Sequence, residues 1–262
     1  MLNFAAVIPH SPILIPTIGK ENTKKLAATL NAIKKLEEDF YASEIDTLII
    51  IASDDTINTK SFIINFSPTY GGNFGEFGDF SFKPTYSGDN ALADEIKETM
   101  SKQQEPVKLM TVEELNYRAL IPLYFLCAHK KDLKILALNP AELTYEEHFN
   151  FGKNLCETIL NSEKRIAVVS SINTSTQLSK NFPNGYSPKA KKFDQKIIDL
   201  IKEKKYKEIS EINLEQAEKS GFSEIKPLLI LLGILSKINH KIDILSYEWP
   251  FGVGNLTVEF EF

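Results

Sequence analysis

The chain has 262 residues, of which 43% are hydrophobic and 25% charged, with a net charge of -5. This composition describes one large α/β domain or two small ones and excludes a disordered segment. The acidic balance excludes a nucleic-acid binder, since Lys189, Lys191, Lys192, Lys202, Lys204, Lys205 and Lys207 are interleaved with acids, and no apolar run reaches the length of a membrane span.

In chain order, Met1 to Ile8 reads as a first strand. It lacks the basic leader of a signal peptide, and prolines at 9, 12 and 16 break the apolar stretch after it. His10 stands between two of them, so its backbone is held extended. Leu26, Leu30, Ile33, Leu36 and Phe40 recur at helical spacing, and Leu48 to Ala52 is a continuous apolar run, the mark of a strand buried on both faces. Ser61 to Phe66 predicts another strand. Tyr70 to Phe80 is rich in glycine and aromatics, but no Gly-Lys-Ser/Thr comes after it, which predicts a packed loop rather than a phosphate cradle.

Helices are predicted around Leu92 to Met100, Tyr117 to Ala128, Tyr145 to Leu160, Ala190 to Lys202 and Ile225 to Lys237. Strands are predicted at Val107 to Met110, Leu133 to Leu138, Arg165 to Ser170, Ile242 to Tyr247 and Asn255 to Phe262. In the last, Leu256, Val258, Phe260 and Phe262 are expected to face inward, with Thr257, Glu259 and Glu261 outward. Cys127 and Cys156 lie in apolar helical patterns without metal-ligand spacing, which predicts buried free thiols in a reducing compartment, the cytoplasm. With no repeat or linker, the expectation is one domain over residues 1–262. Its fold class is α/β, a layered sandwich with a mostly parallel or mixed central sheet flanked by helices.

In open α/β sheets the ligand site lies beyond the carboxyl ends of the strands, which points to His10, Ser53-Asp54-Asp55 and Ser170 to Asn173. Neighbours on an extended chain face opposite ways, so at most one of Asp54 and Asp55 faces a pocket. His129 at a helix end, His148 in an acidic helix and His240 in a loop are expected in solvent. Arg118 reads as a surface residue at a helix start, with an anion fork as the other reading.

Several segments carry a resemblance. They are Val-Ile-Pro-His-Ser-Pro-Ile-Leu-Ile-Pro at 7–16, Asn65 to Phe82 with Gly78-Asp79-Phe80, Ile121-Pro122-Leu123-Tyr124-Phe125-Leu126, and Ser246-Tyr247-Glu248-Trp249-Pro250-Phe251-Gly252-Val253-Gly254. Together they resemble the class III extradiol ring-cleavage dioxygenase superfamily, which includes the LigB-like protocatechuate 4,5-dioxygenase beta subunit and the MEMO-like proteins, among them AmmeMemoRadiSam system protein B. The resemblance implies that superfamily's fold over nearly the whole chain. It also implies a non-haem iron site of two His and one Glu, with Cys in place of Glu in MEMO-like members.

His10 matches the first ligand. The second, a His in Ser-Pro-His, falls on Ser53, Asp54 and Asp55. The catalytic His of an Asp-His-Gly falls on Tyr117, within Asn116-Tyr117-Arg118. A further His falls within Ile172 to Thr176, beside Asn173, and the Glu or Cys falls in Ala217-Glu218-Lys219-Ser220-Gly221. Four of five positions have changed.

Two readings are open. The first is a non-catalytic or repurposed protein that binds a small molecule or a protein in the old cleft, with no metal. The second is a metal-dependent oxidoreductase, a ring-cleaving dioxygenase of catechol-type aromatics, in which His10, Asp54 or Asp55, and Glu218 hold Fe²⁺ or another divalent ion. Ser53, Asn173 and Ser220 would line either pocket, and Ser220 would otherwise cap a helix beginning near Phe222. The apolar final strand offers an edge for pairing, as in a homodimer or larger assembly.

Overall fold

The computed structural model describes residues 1–128, 130, 132–182 and 184–262, so the expectation for His129 lies outside the described residues. The strands are β1 (Leu2–Ile8), β2 (Thr47–Ile51), β3 (Phe62–Asn65), β4 (Thr69–Tyr70), β5 (Tyr86–Gly88), β6 (Val107–Met110), β7 (Lys134–Asn139), β8 (Ile166–Ser171), β9 (Lys241–Glu248) and β10 (Asn255–Glu261). The helices are α1 (Pro16–Gly19), α2 (Ala27–Ala42), α3 (Asn90–Lys102), α4 (Tyr117–Leu126), α5 (Tyr145–Asn161), α6 (Ala190–Lys202), α7 (Tyr206–Ser210), α8 (Leu214–Ser220) and α9 (Ile225–Leu235).

The sheet runs β4-β5-β7-β2-β8-β1-β10-β9, with β3 on β7 and β6 on β3. At its centre β7, β2, β8 and β1 are parallel, which brings their carboxyl ends to one side. Both flanks turn antiparallel, through β1 to β10 to β9 and through β3 to β7.

The continuous apolar runs feed two cores. Along β2, Ile49 and Ile51 enter one core while Leu48 and Ile50 enter the other, and β8 splits the same way with Ile166 and Val168 against Ala167 and Val169. Alternation persists in such a strand, but both faces meet helices, so both must be apolar. Residues of α3, α5, α6 and α9 fill the first core, and residues of α2 and α4 fill the second. The α9 helix is apolar and buried apart from Lys226, which pairs with Glu142. It meets α5 through Gly152 and Gly233, whose backbones approach so closely that a Cβ at Gly152 would lie 2.1 Å from the Ile230 carbonyl oxygen. That contact sets how closely α9 packs on α5.

The final strand departs from its expected pattern. It lies inside the sheet between β1 and β9, so it offers no edge, and β9 is the outer strand. Thr257 and Glu259 on its supposed solvent face are buried, and Phe262 is half-exposed. The α2 helix covers that face, and Lys35 Nζ reaches Glu259 at 2.9 Å and Asp243 at 3.1 Å. The 70–80 segment is a packed loop, with Tyr70 and Phe74 buried in the second core. Both cysteines are buried and free.

Two histidines expected in solvent are interior. His148 packs edge-on against Phe62, bonds the Thr144 carbonyl through Nδ1 at 2.7 Å, and is pushed by burial down to about 4. His240 stacks on Tyr206, whose hydroxyl lies 2.6 Å from Nε2. Each sits among aromatic side chains that polar neighbours in the sequence do not reveal.

Candidate functional site

The carboxyl ends of β1, β2 and β8 converge with the starts of α4 and α9. Parallel pairing sets Ile8 beside Ser171, so His10, two residues further, faces the segment after β8, and its backbone N–H donates to Asn173 Oδ1 at 3.3 Å. Asn116 caps α4 by accepting from the Ala119 amide, and its Nδ2 donates to the Ser53 carbonyl at 2.9 Å. The first turn of α4, with Tyr117 and Arg118, is thereby tied to the end of β2. At the other helix, α8 ends in Gly221 at φ 75, a left-handed conformation natural to glycine, and the Gly221 carbonyl accepts from the Thr176 amide at 3.1 Å. This turn delivers Glu224, at the head of α9, to His10.

Glu224 is the centre of the resulting cluster. Its Oε2 lies 3.0 Å from His10 Nε2 and accepts from the Asn173 amide at 2.9 Å, while Oε1 accepts from Arg118 Nε at 2.9 Å. Arg118 Nη2 donates to Asp55 Oδ2 at 2.8 Å. On the far side of His10, Nδ1 lies 3.2 Å from Ser171 Oγ, which donates to the Arg118 carbonyl at 2.5 Å. Because the serine proton is committed, Nδ1 is the donor to Oγ, and the acceptor-only carboxylate takes Nε2–H. Both ring nitrogens then face oxygen atoms.

Burial alone would push Glu224 upward, yet His10, the Asn173 amide and Arg118 together hold its carboxyl below the usual carboxylate range. Burial likewise opposes the Arg118 charge, and Asp55 and Glu224 outweigh it. Tyr117 meets the His10 ring edge-on at 5.7 Å and lies under the Arg118 guanidinium, with burial raising its phenol.

The expected residues fare unequally. His10, Asp55, Tyr117 and Asn173 come together. Asp54 closes a local turn, its Oδ1 accepting from the Thr56 amide and hydroxyl, while Asp55, largely exposed, reaches Arg118 from the rim. Ser53 contributes only its carbonyl. Glu218 is exposed on α8, and Ser220 bonds back to the Ala217 carbonyl of its own helix rather than capping another, so neither lines the cluster. Arg118, read as a surface residue, is an ion-pair bridge whose side chain is 15% exposed. Glu224 went unread. The signal for it is an acid standing immediately before a helix that is apolar apart from Lys226, where its side chain is drawn toward the interior.

A divalent ion needs several donors converging at roughly 2.0–2.6 Å. Among the described residues, the one group of three or more acid, His or Cys side chains near enough to share an ion is Asp243, Glu259 and Glu261, and Lys35 already lies among them. At His10 the carboxylates of Glu224 and Asp55 are drawn to the guanidinium of Arg118, and both imidazole nitrogens are engaged. The residues as arranged do not fit a metal. The neighbouring cavity beside Asp54, Asn116 and Asn139, which His10, Arg118 and Glu224 do not line, holds about 20 Å³, room for a water molecule.

A second buried carboxylate shares the loop after β8. Asp194 of α6 accepts from Thr174 Oγ1 at 2.7 Å, Ser175 Oγ at 2.5 Å, the Ser175 amide at 3.1 Å and Tyr247 Oη at 2.6 Å. Burial pushes its carboxyl up, and these neutral donors pull it only part of the way back.

The family model for the catalytic LigB subunit of aromatic ring-opening dioxygenase matches residues 4–258. Protein CA_C1420 of Clostridium acetobutylicum is 25% identical over 97% of this chain, which spans 56% of that protein's length. The crystal structure of uncharacterized protein JW3007 from Escherichia coli K12 matches with a TM-score of 0.66 over 98% of both chains at 15% identity, a likeness of fold.

Proposed function

This chain belongs to the family of the catalytic LigB subunit of aromatic ring-opening dioxygenases, and from that premise we propose that its carboxyl-end site is degenerate and works by binding rather than by ring opening. The observation that supports this reading is Arg118. Its guanidinium bridges Asp55 and Glu224, which puts a resident side-chain cation where the family resemblance implies a metal cation.

His10 is buried, and the exposed face of the cluster is its rim, where Asp55 is 79% exposed beside the partly buried Arg118. The ligand in this reading is a protein surface that meets that rim. In this reading Arg118 and Asp55 make polar contact with the partner, and His10, Glu224 and Asn173 hold Arg118 in place.

The second reading, a metal-dependent oxidoreductase of catechol-type aromatics, is supported by the family model and by His10, Asp55 and Glu224 bordering one space. Those three would hold Fe²⁺ or another divalent ion, which would supply a Lewis acid and redox centre, only after Arg118 leaves.

Metal content separates the two. The protein and its His10→Ala variant are incubated anaerobically with Fe²⁺, Mn²⁺ and Zn²⁺, desalted and measured by mass spectrometry. Less than a tenth of an equivalent in both is the expected outcome. Stoichiometric metal that disappears in His10→Ala would overturn the binding reading and make catechol cleavage the next assay.

A further inference from the structure

Two open spaces lie away from His10. One cavity of about 790 Å³ is lined by Phe82, Tyr86, Tyr124, Phe125, Cys127 and Lys130, among others, and a second of about 700 Å³ by Tyr41, Lys134 and Arg165, among others. Lys130 and Leu133 line both, so the two meet there. Each falls in the size range of small-molecule pockets.

The wall of the first is preformed. Phe82 and Tyr124 meet edge-to-face at 5.1 Å, Tyr124 and Phe125 do the same at 5.1 Å, and Phe74 stacks behind Phe82 at 5.0 Å. Such contacts hold aromatic faces in place without a ligand. The Tyr86 and Tyr124 hydroxyls make no hydrogen bond among the described residues, which leaves two donors at the lining.

The two linings carry four cations and four acids, and the cation at their junction is Lys130. Lys130 Nζ sits over the rings of Phe40 at 5.1 Å and Tyr41 at 5.6 Å and has no carboxylate at ion-pair distance among the described residues. Of the acids on the second lining, Glu44 and Asp46 are engaged by Arg165. Glu37 and Asp132 are the other acids on the two linings. Burial and the neighbouring Arg165 oppose the Lys130 charge more than Glu44 and Asp46 favour it, and an anion beside Nζ would favour it further.

We propose that this groove binds an aromatic organic anion, its rings against Phe82, Tyr124 and Phe125 and its carboxylate or sulfonate against Lys130. A neutral aromatic would gain the wall but not the cation, and an inorganic anion would gain the cation but not the wall. The proposal is independent of the Arg118 reading, since the two sites share no residue.

The test is a fluorescence titration of the full chain with anilinonaphthalene sulfonate and with its uncharged counterpart, phenylnaphthylamine, checked by calorimetry. The expected result is saturable binding at one equivalent, with the sulfonate preferred about tenfold. Lys130→Gln should abolish the preference yet keep the binding of the neutral probe, which also shows that the variant is folded. Phe125→Asp, with its circular dichroism verified, should weaken both probes at least tenfold. Absence of saturable binding, a preference that survives in Lys130→Gln, or binding undiminished in a folded Phe125→Asp would each overturn the proposal.

Discussion

Glu224, partly buried, and Asp194, fully buried, are carboxylates served by one loop, yet they are stabilised in different ways. Glu224 answers to the Arg118 guanidinium on one oxygen and the His10 imidazole on the other. Asp194 answers to neutral donors, two hydroxyls and an amide from Thr174 and Ser175 and the phenol of Tyr247. A charge-paired group is held ionised, and removing one partner strands the others. A group surrounded by hydroxyls tolerates a proton, because hydroxyl hydrogens rotate and a donor becomes an acceptor. The first arrangement fixes charge in place, and the second fixes the fold of a loop.

The largest test of this difference is Glu224→Ala. It leaves Arg118 and His10 facing each other without their shared acceptor, and is expected to cost about 3–5 kcal/mol in denaturant unfolding. Asp194→Asn keeps one acceptor but turns an NH₂ toward groups that are themselves donors, and a loss of about 2 kcal/mol is expected. Were Asp194→Asn the more costly, the distinction between charge-held and hydroxyl-held acids would fail. Tyr247→Phe removes one of four donors to Asp194, for a loss of about 1 kcal/mol by the same measurement.

The sharpest test is the sign of the pH dependence. Glu224 is depressed in the fold, so the unfolded chain holds more protons there, and its stabilisation is present above the unfolded carboxylate value and lost as pH falls through the folded one. Asp194 is raised, so the folded chain holds more protons, and its contribution declines as pH climbs from the unfolded value through the folded one. On acidification from neutrality, the Tm gap between the wild type and Glu224→Gln should shrink while the gap to Asp194→Asn widens. His148, pushed down to about 4, destabilises the fold below its unfolded value of 6.5 in all three proteins and cancels in the gaps. Two gaps moving the same way would contradict the assignment.

Much of the scaffold was legible because it obeys local rules. Leu48 to Ala52 and Arg165 to Ser170 had to be doubly buried strands, and the carboxyl-end rule located His10, Asp55 and Asn173 before any contact was known. The hidden part depends on partners distant in the chain. Glu218 sits in the local context that resembles the family's ligand, whereas Glu224 is placed by contacts with His10, Arg118 and Asn173, which lie far away in the chain. Arg118 looked like a surface residue because Glu224, 106 positions away, gives no local sign of itself. His148 and His240 misled for the same reason, their polar sequence neighbours facing away from aromatic pockets built by other elements.

The position of β10 has a mechanical consequence. The register that sets Ala5 against Phe260 brings the last residues of β10 alongside the first of β1, so both chain ends leave the sheet at the same end of adjacent antiparallel strands. A pull applied at those two ends loads their cross-strand hydrogen bonds one after another rather than together. The sheet is therefore expected to unzip from its middle at low force, separating β9 and β10 from the parallel strands, even though each core is thermodynamically secure.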